Sequence, residues 1–190
     1  MVFKDTIPVI DLHIHSSASD GTCSPEEIVE QARDQGLKAI AIADHDTIDG
    51  VCQAMDAGIP QTLEFMTGIE ISAHPPDRVN GGSSFHILGY GFSIYDNFLH
   101  KTLGTLQQAR ENRNPRIIEK LQQAGIDISI EDVEKICGTG QMGRPHFALA
   151  LMEKNVVSTF DEAFDRYLGT GRLAHVDKER LSCQEAIQLI

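Results

Sequence analysis

Residues 7–46 read IPVIDLHIHSSASDGTCSPEEIVEQARDQGLKAIAIADHD, and this stretch decides the fold class. Ile7 to Ile14 is an apolar run of strand length that closes on ligand-type residues, His13 and His15. Ser24-Pro25-Glu26-Glu27 then opens a helix, with serine as N-cap, proline in the first turn and a glutamate placed to close a capping box. Ile28, Val29 and Ala32 form its apolar face, and Gly36 is a natural stop. Lys38 to Ala43 is almost wholly apolar, as expected of a strand buried on both faces of a parallel sheet. Strand, helix and strand at this spacing make a βαβ unit.

Outward from that unit the pattern repeats. Thr47 can cap a short helix ending near Gly58, and Leu63 to Ser72 and Phe85 to Phe92 supply two further strands. Residues 1–96 are therefore expected to form an α/β body with a parallel sheet or barrel. From Asp96 the period changes: Leu99, Leu103, Leu106, Ile117, Ile118 and Leu121 recur at helical spacing. Asn114-Pro115 interrupts them, which predicts two helices or one kinked helix ending at Gly125. Ser129, Pro145 and Ser158 begin three shorter helices, so residues 97–170 read as a helical insertion. Residues 171–190 return to the body through strand-like Leu173 to Val176 and a second capping box at Ser182-Cys183-Gln184-Glu185. The chain stops at Ile190 inside that last helix, so further sequence is expected after it.

At 190 residues and 41% hydrophobic, the chain can bury a real core as one domain with an insertion. Its 16 Lys+Arg against 28 Asp+Glu leave a net charge of −12, which repels nucleic-acid backbone and argues against non-specific binding to it. A small anionic substrate would need a local cluster of positive charge. The four cysteines contain no CxxC pair and fit neither a zinc ribbon nor a disulfide framework. No apolar stretch approaches the ~20 residues of a membrane span. These features are those expected of a cytoplasmic protein with no membrane partner.

The eight histidines carry most of the chemistry. His13 and His15, two apart at a strand end, point to one face, and Asp20 follows in the adjoining loop. His45 lies in Asp44-His45-Asp46 directly after the second strand, Glu70 in the third strand region and His86 in the fourth. A lone histidine at a strand end is more often structural than a ligand. Four strand ends that each deliver a histidine or carboxylate make coincidence a poor account, because strand ends of parallel α/β folds share the active-site face. Nitrogen and oxygen donors without thiolate suit Zn, Mn or Fe, and a shared carboxylate such as Glu70 suits two ions. Asp11, Asp44 and Asp46 are expected to fix imidazole tautomers from behind, though a turn or cap role serves Asp46 about as well.

DLHIHSSASDGTCSPEEIVEQA, GLKAIAIADHDTIDG, GIEIS and HILGYGF together resemble the PHP (polymerase and histidinol phosphatase) superfamily of metal-dependent phosphoesterases. GRPHFALAL and YLGTGRLAHVDKERLSCQEAIQLI resemble its branch of 3′,5′-nucleotide bisphosphate phosphatases and 5′→3′ exoribonucleases. The resemblance implies a distorted (β/α)7 barrel, incomplete here, with two or three divalent metal ions. It places His13, His15, Asp20, His45, Glu70 and His86 at ligand positions. Two departures stand out. A later His-Pro motif and an Asp-x-His motif, which complete the family's site, do not occur before Ile190, and Ala43 replaces the usual threonine ahead of Asp44.

On the substrate side, Arg144 and His146 flank Pro145 at a helix start, where backbone N–H groups favour an anion. With Lys178 they resemble the branch's phosphate or nucleotide contacts. Arg110 and Arg113 lie three apart on one helical face, which is expected to be solvated ahead of the alternative that it extends a basic patch, and His74 and His100 are expected at the surface. His175 has no assigned role, and Gly81-Gly82 is expected to be a flexible loop. The implied function is hydrolysis, by metal-activated water, of a phosphate monoester on a small nucleotide, such as a 3′,5′-bisphosphonucleotide, or at the 5′ end of short RNA. The rival readings are a histidinol-phosphate phosphatase, a polymerase-associated exonuclease, and a metal-binding but inactive module.

Overall fold

β1 (Ile10–Ile14), β2 (Ala39–Ile42) and β3 (Glu64–His74) lie side by side in parallel, joined by α1 (Pro25–Asp34) and α2 (Asp49–Ala57). The computed structural model describes residues 9–76 and 85–190, so Ile7, Pro8 and the Gly81-Gly82 pair lie outside the described residues. The α/β reading holds. Ile40 and Ile42 of β2 are fully buried against Ile28, Val29 and Ala32 of α1 and Val51 and Ala54 of α2. The α1 capping box forms as the sequence predicts, with Glu27 N donating to Ser24 Oγ and Ser24 N to Glu27 Oε2. Thr47 Oγ1 accepts from Asp49 N at 3.1 Å, one residue outside the N-cap position that Ile48 takes.

The fourth strand corrects the parallel expectation. β4 (Phe85–Tyr90) runs antiparallel to β3, with Ser72 opposite His86 and Glu70 opposite Leu88. The sheet is mixed, in the order β1-β2-β3-β4, and β5 (Leu181–Ser182) adds a short parallel pairing to the far end of β3.

α3 (Asn97–Gln123) is one helix of 27 residues that continues through Pro115. Burial on both sides of the proline explains why it does not break. Leu99, Leu103 and Leu106 are buried with Ile69, Ile71 and Ala73 of β3. Ile117 and Leu121 are buried with Val133 of α4 (Ile130–Cys137) and with Phe147 and Leu151 of α5 (Arg144–Glu153). Five apolar side chains sunk in two clusters, at about 1.5–3 kcal/mol each, outweigh the ~3 kcal/mol that a mid-helix proline costs.

α6 (Phe160–Ala163) starts from Thr159, one residue after the expected Ser158, and runs into a π-helical turn at Phe164–Leu168. Leu173 to Val176 is not a strand. Ala174 and Val176 are buried in the α4–α5 cluster, and Ala174 N donates to Tyr167 O, so their alternation serves a helical core and not a sheet. α7 (Cys183–Leu189) closes on the predicted Ser182–Glu185 box. The first turn of α5 is built differently, with Gly143 N donating to the imidazole Nδ1 of His146 at 2.9 Å. No helix among the described residues is long and apolar enough to cross a membrane.

The loop that carries Asp20 is fixed by a buried network. Asp44 accepts from Ser16 N at 2.7 Å and from Ser16 Oγ and Ser19 Oγ at 2.6 Å each. Gly50, in the first turn of α2, leaves the space for it: a Cβ there would run into Asp44 Oδ2 and Ser16 Oγ. Gly50→Ala at a free helical site would gain about 1 kcal/mol. Here overpacking of a pinned carboxylate, at about 1–3 kcal/mol, reverses the sign. Gly50→Ala is expected to lower the denaturant midpoint, and a raised midpoint would refute this view of the Asp44 network.

Candidate metal centre

Three features of the sheet bring the predicted ligands together. A register shift between Asp11 and Ile14 reshapes the end of β1, where His13 and His15 lie. A parallel bridge between His45 and Glu70 extends the β2–β3 pairing past the end of β2. The antiparallel β4 begins beside the stretch of β3 that holds Glu70 and Ser72, which delivers His86 to the same place. The carboxylate of Glu70 is the meeting point. Its Oε2 lies 2.7 Å from His13 Nε2, 2.9 Å from His15 Nε2 and 3.7 Å from His45 Nδ1, while Oε1 lies 2.5 Å from His86 Nδ1. On the other side, Asp20 sits 2.8 Å from His15 Nδ1 and 3.6 Å from His45 Nε2.

These residues form three overlapping donor groups: His13, His15 and Glu70; His15, Asp20 and His45; and His45, Glu70 and His86. Each group places its ligand atoms within 4.8 Å of one another. The buried Nδ1 of His45 has no hydrogen-bond partner, an arrangement that a cation ligated there would relieve. The donor set is nitrogen and oxygen throughout, and His15, His45 and Glu70 are each shared by two groups. It fits adjacent divalent cations.

The electrostatics are those of a cluster built around negative charge. Burial disfavours a charged His15, but Asp20 and Glu70 outweigh it and raise its pKa to about 10. Burial likewise opposes ionisation of Asp20, and His15 and His45 overcome this to bring it to about 2. Glu70 is held far below the usual carboxylate range, chiefly by His15 and His86 against its own burial. His45 is driven down to about 4 by burial despite both carboxylates.

The three neighbouring aspartates do not touch imidazoles. Asp11 Oδ1 accepts from His13 N at 3.2 Å, and Asp44 holds the serines of the Asp20 loop. Asp46, fully buried, receives Ser72 N at 2.7 Å, Ser72 Oγ at 2.8 Å, and the side chains of Arg110 and Lys178. His13 and His15 instead contact Glu70 directly, and His15 also contacts Asp20.

Beside the cluster lies a cavity of about 150 Å³. Asp20, His45, Ser72 and His86 form one part of its lining, and Arg110, Arg113, Arg144, Lys178 and Arg180 another. Arg110 and Arg113 are not on a solvated face but buried. A signal for this exists in the sequence: positions 99, 103, 106, 110, 113 and 117 alternate steps of four and three, so both arginines continue the leucine stripe. Arg180, Ser72 and Asp46 carried no such signal. Arg144 lines the cavity, donates to Leu168 O at 3.1 Å and lies over the Phe164 ring. His146 is buried, with Nδ1 engaged by the α5 start. His74 and His100 are exposed, as read, and His175 lies by Asp177 at 3.6 Å, with no part in the three donor groups.

A fold of this kind carrying such a cluster has relatives. The chain belongs to the PHP domain family, which matches residues 11–172. It is 38% identical over 180 residues to a 5′-3′ exoribonuclease of Haemophilus influenzae, covering 95% of this chain and 64% of that protein. It is 28% identical over 179 residues to a 3′,5′-nucleoside bisphosphate phosphatase of Chromobacterium violaceum, covering 94% and 61%. Among solved structures it superposes at a TM-score of 0.84 on a Bifidobacterium adolescentis protein classed as a metal-dependent phosphoesterase, with 32% identity over 95% of this chain and 62% of that one. A Chromobacterium violaceum protein described as an amidohydrolase, solved with sulfate and no metal, gives 0.83 at 29% identity, covering 95% and 62%. The chain spans about three fifths of the length of the relatives it matches.

The sharing pattern makes a graded prediction. Glu70 belongs to two donor groups and Asp20 to one. Glu70→Gln is therefore expected to remove more bound Mn²⁺ or Zn²⁺ than Asp20→Asn, by elemental analysis after dialysis against a fixed free-metal level. Equal losses would contradict the shared-ligand arrangement.

Proposed function

We propose that this chain forms the metal centre and anion pocket of a phosphoesterase that hydrolyses a phosphate monoester on a small nucleotide, such as a 3′,5′-bisphosphonucleotide, or at the 5′ end of short RNA. The observation that carries this reading is the cavity in which Asp20, His45 and His86 share a wall with five cationic side chains. His13, His15, Asp20, His45, Glu70 and His86 would hold two or three divalent ions, Mn, Zn or Fe. Bound there, such ions supply a more acidic water as nucleophile and offset negative charge on the phosphoryl oxygens.

The chain's own residues do the rest. Lys178 and Arg110 reach the cavity from opposite elements, and Asp46 offsets part of their charge. Arg113, Arg144 and Arg180 make no ion pair among the described residues. Burial, and then Arg110, Arg144 and Arg180, push the Arg113 guanidinium down to about 9, so a cation is held there against its own solvation. Such an arrangement is complementary to an anion with more than one phosphate, on a chain whose net charge is −12. Pro145, Phe164 and Val176 complete the wall and keep the dielectric low around the guanidinium groups. A substrate bearing a cationic amine, as histidinol phosphate does, would be repelled by the same wall. The names of the relatives point the same way.

Removing Arg113 separates function from stability. Each charge-assisted hydrogen bond to phosphate contributes about 1.5–3 kcal/mol, so Arg113→Met should weaken binding of a 3′,5′-bisphosphonucleotide by about tenfold or more. The same change removes an uncompensated buried charge and should leave the melting temperature unchanged or higher. Full binding with a lowered melting temperature would refute the assignment of this cavity.

A further inference from the structure

We propose that Asp46 is a positioning residue of this site, fixing Lys178 and Arg110 at the cavity wall and acting through Lys178. The inference rests on reading the cavity as the phosphate site. Adjacent residues here face two different jobs. His45 approaches Glu70 and Asp20, while the next side chain reaches Ser72, Arg110 and Lys178. Asp46 achieves this with a backbone φ of 55°, in the left-handed region that few residues other than glycine, asparagine and aspartate enter. Asp46 N donating to Glu70 O, and Gln107 Nε2 donating to Asp46 O, hold it there.

The carboxylate ties together three separate stretches of chain: Ser72 on β3, Arg110 on α3 and Lys178 in the segment before β5. Lys178 has three N–H donors. Two go to Asp46 Oδ2 and Ser72 Oγ, and one remains for a ligand in the cavity that Lys178 lines. Because Ser72 faces His86 across the β3–β4 pair, this ammonium is registered to the imidazole cluster by one cross-strand neighbour.

Without Asp46, Lys178 and Arg110 would be two buried cations converging on an empty point. Asp46, Ser72 of β3, and Arg110 and Arg113 of α3 act on Lys178 most directly, and the cavity it lines also holds Asp20, His45, His86, Arg144 and Arg180. Burial and the two arginines lower the Lys178 pKa to about 7, and Asp46 is the group that opposes them. Deleting the negative charge lowers it further, so Lys178 sheds its proton at a lower pH and the cavity loses an anion contact.

The test titrates inorganic sulfate into metal-stripped protein by calorimetry across neutral pH, since sulfate itself does not titrate there. For the wild type, affinity should fall as pH rises through about 7. In Asp46→Asn the fall should move down by roughly one pH unit or more. Lys178→Met should abolish this step in both backgrounds. A curve for Asp46→Asn that superposes on the wild type overturns the proposal. Should Asp46→Asn fail to fold, Asp46→Glu keeps the charge but displaces it by a methylene, and an unmoved midpoint there is equally fatal. With Mn²⁺ and a 3′,5′-bisphosphonucleotide, Asp46→Asn should lower kcat about tenfold in the wild type and little in Lys178→Met, whereas equal losses in both refute action through Lys178. Absence of turnover by the wild type counts against the phosphoesterase reading and leaves the sulfate curves to decide the role of Asp46.

Discussion

Two backbone hydrogen bonds hold the site in place: Glu70 N to Asp44 O and Asp46 N to Glu70 O, each 3.0 Å. They carry the β2–β3 ladder beyond the end of β2, where the chain would otherwise leave the sheet. By doing so they set Asp44, His45 and Asp46 alongside Glu70. Three consecutive side chains are thereby committed to three environments. Asp44 locks the loop of Asp20, His45 joins the imidazole cluster, and Asp46 pairs with cations across the cavity. A slip of one residue in this pairing would exchange those environments and lose all three functions together.

The electrostatic layout follows from that register. The chain is acidic overall, yet its interior holds a cavity lined by four arginines and a lysine. The cations there are unequally matched. Lys178 and Arg110 share one buried carboxylate, whereas Arg113 is surrounded chiefly by other cations. Beside this wall, the imidazoles crowd around Glu70 and Asp20. A phosphoryl group between the two would meet positive charge from both sides, provided that cations occupy the cluster.

Much of this was legible in the residues. The βαβ unit, the α1 and α7 capping boxes and the strand-end positions of His13, His15 and His45 follow from local pattern, because each depends on neighbours in sequence. What was not legible depended on long-range choices. The direction of β4 cannot be read from its own residues, and Leu173 to Val176 alternates like a strand while packing against helices. Pro115 signals a break that burial on both sides of it prevents. The charge of Arg110 and Arg113 suggests a solvated face, although the four-three spacing of α3 puts them on the inner stripe. Asp46 reads about equally as a carboxylate behind an imidazole or as a turn residue, and its backbone takes the turn. Its carboxylate found partners 26, 64 and 132 positions away, which no local pattern announces.

The start of α5 shows how far the demand for positive potential reaches. Three other helices close their first turns with carboxylates: Glu27 in α1, Asp132 in α4 and Glu185 in α7. α5 alone presents its first residues, Arg144 and Pro145, to the cationic cavity, and it alone uses an imidazole, that of His146. Burial lowers the His146 pKa, which favours the neutral ring that accepts from Gly143 N. A Cβ at Gly143 would come within 3.2 Å of an Arg110 nitrogen, so any side chain there would have to displace the end of that guanidinium. The helix is thus terminated by a donor–acceptor pair that adds no formal charge. Its first turn therefore carries no carboxylate to offset the N-terminal dipole beside the cavity that Arg144 and Pro145 line.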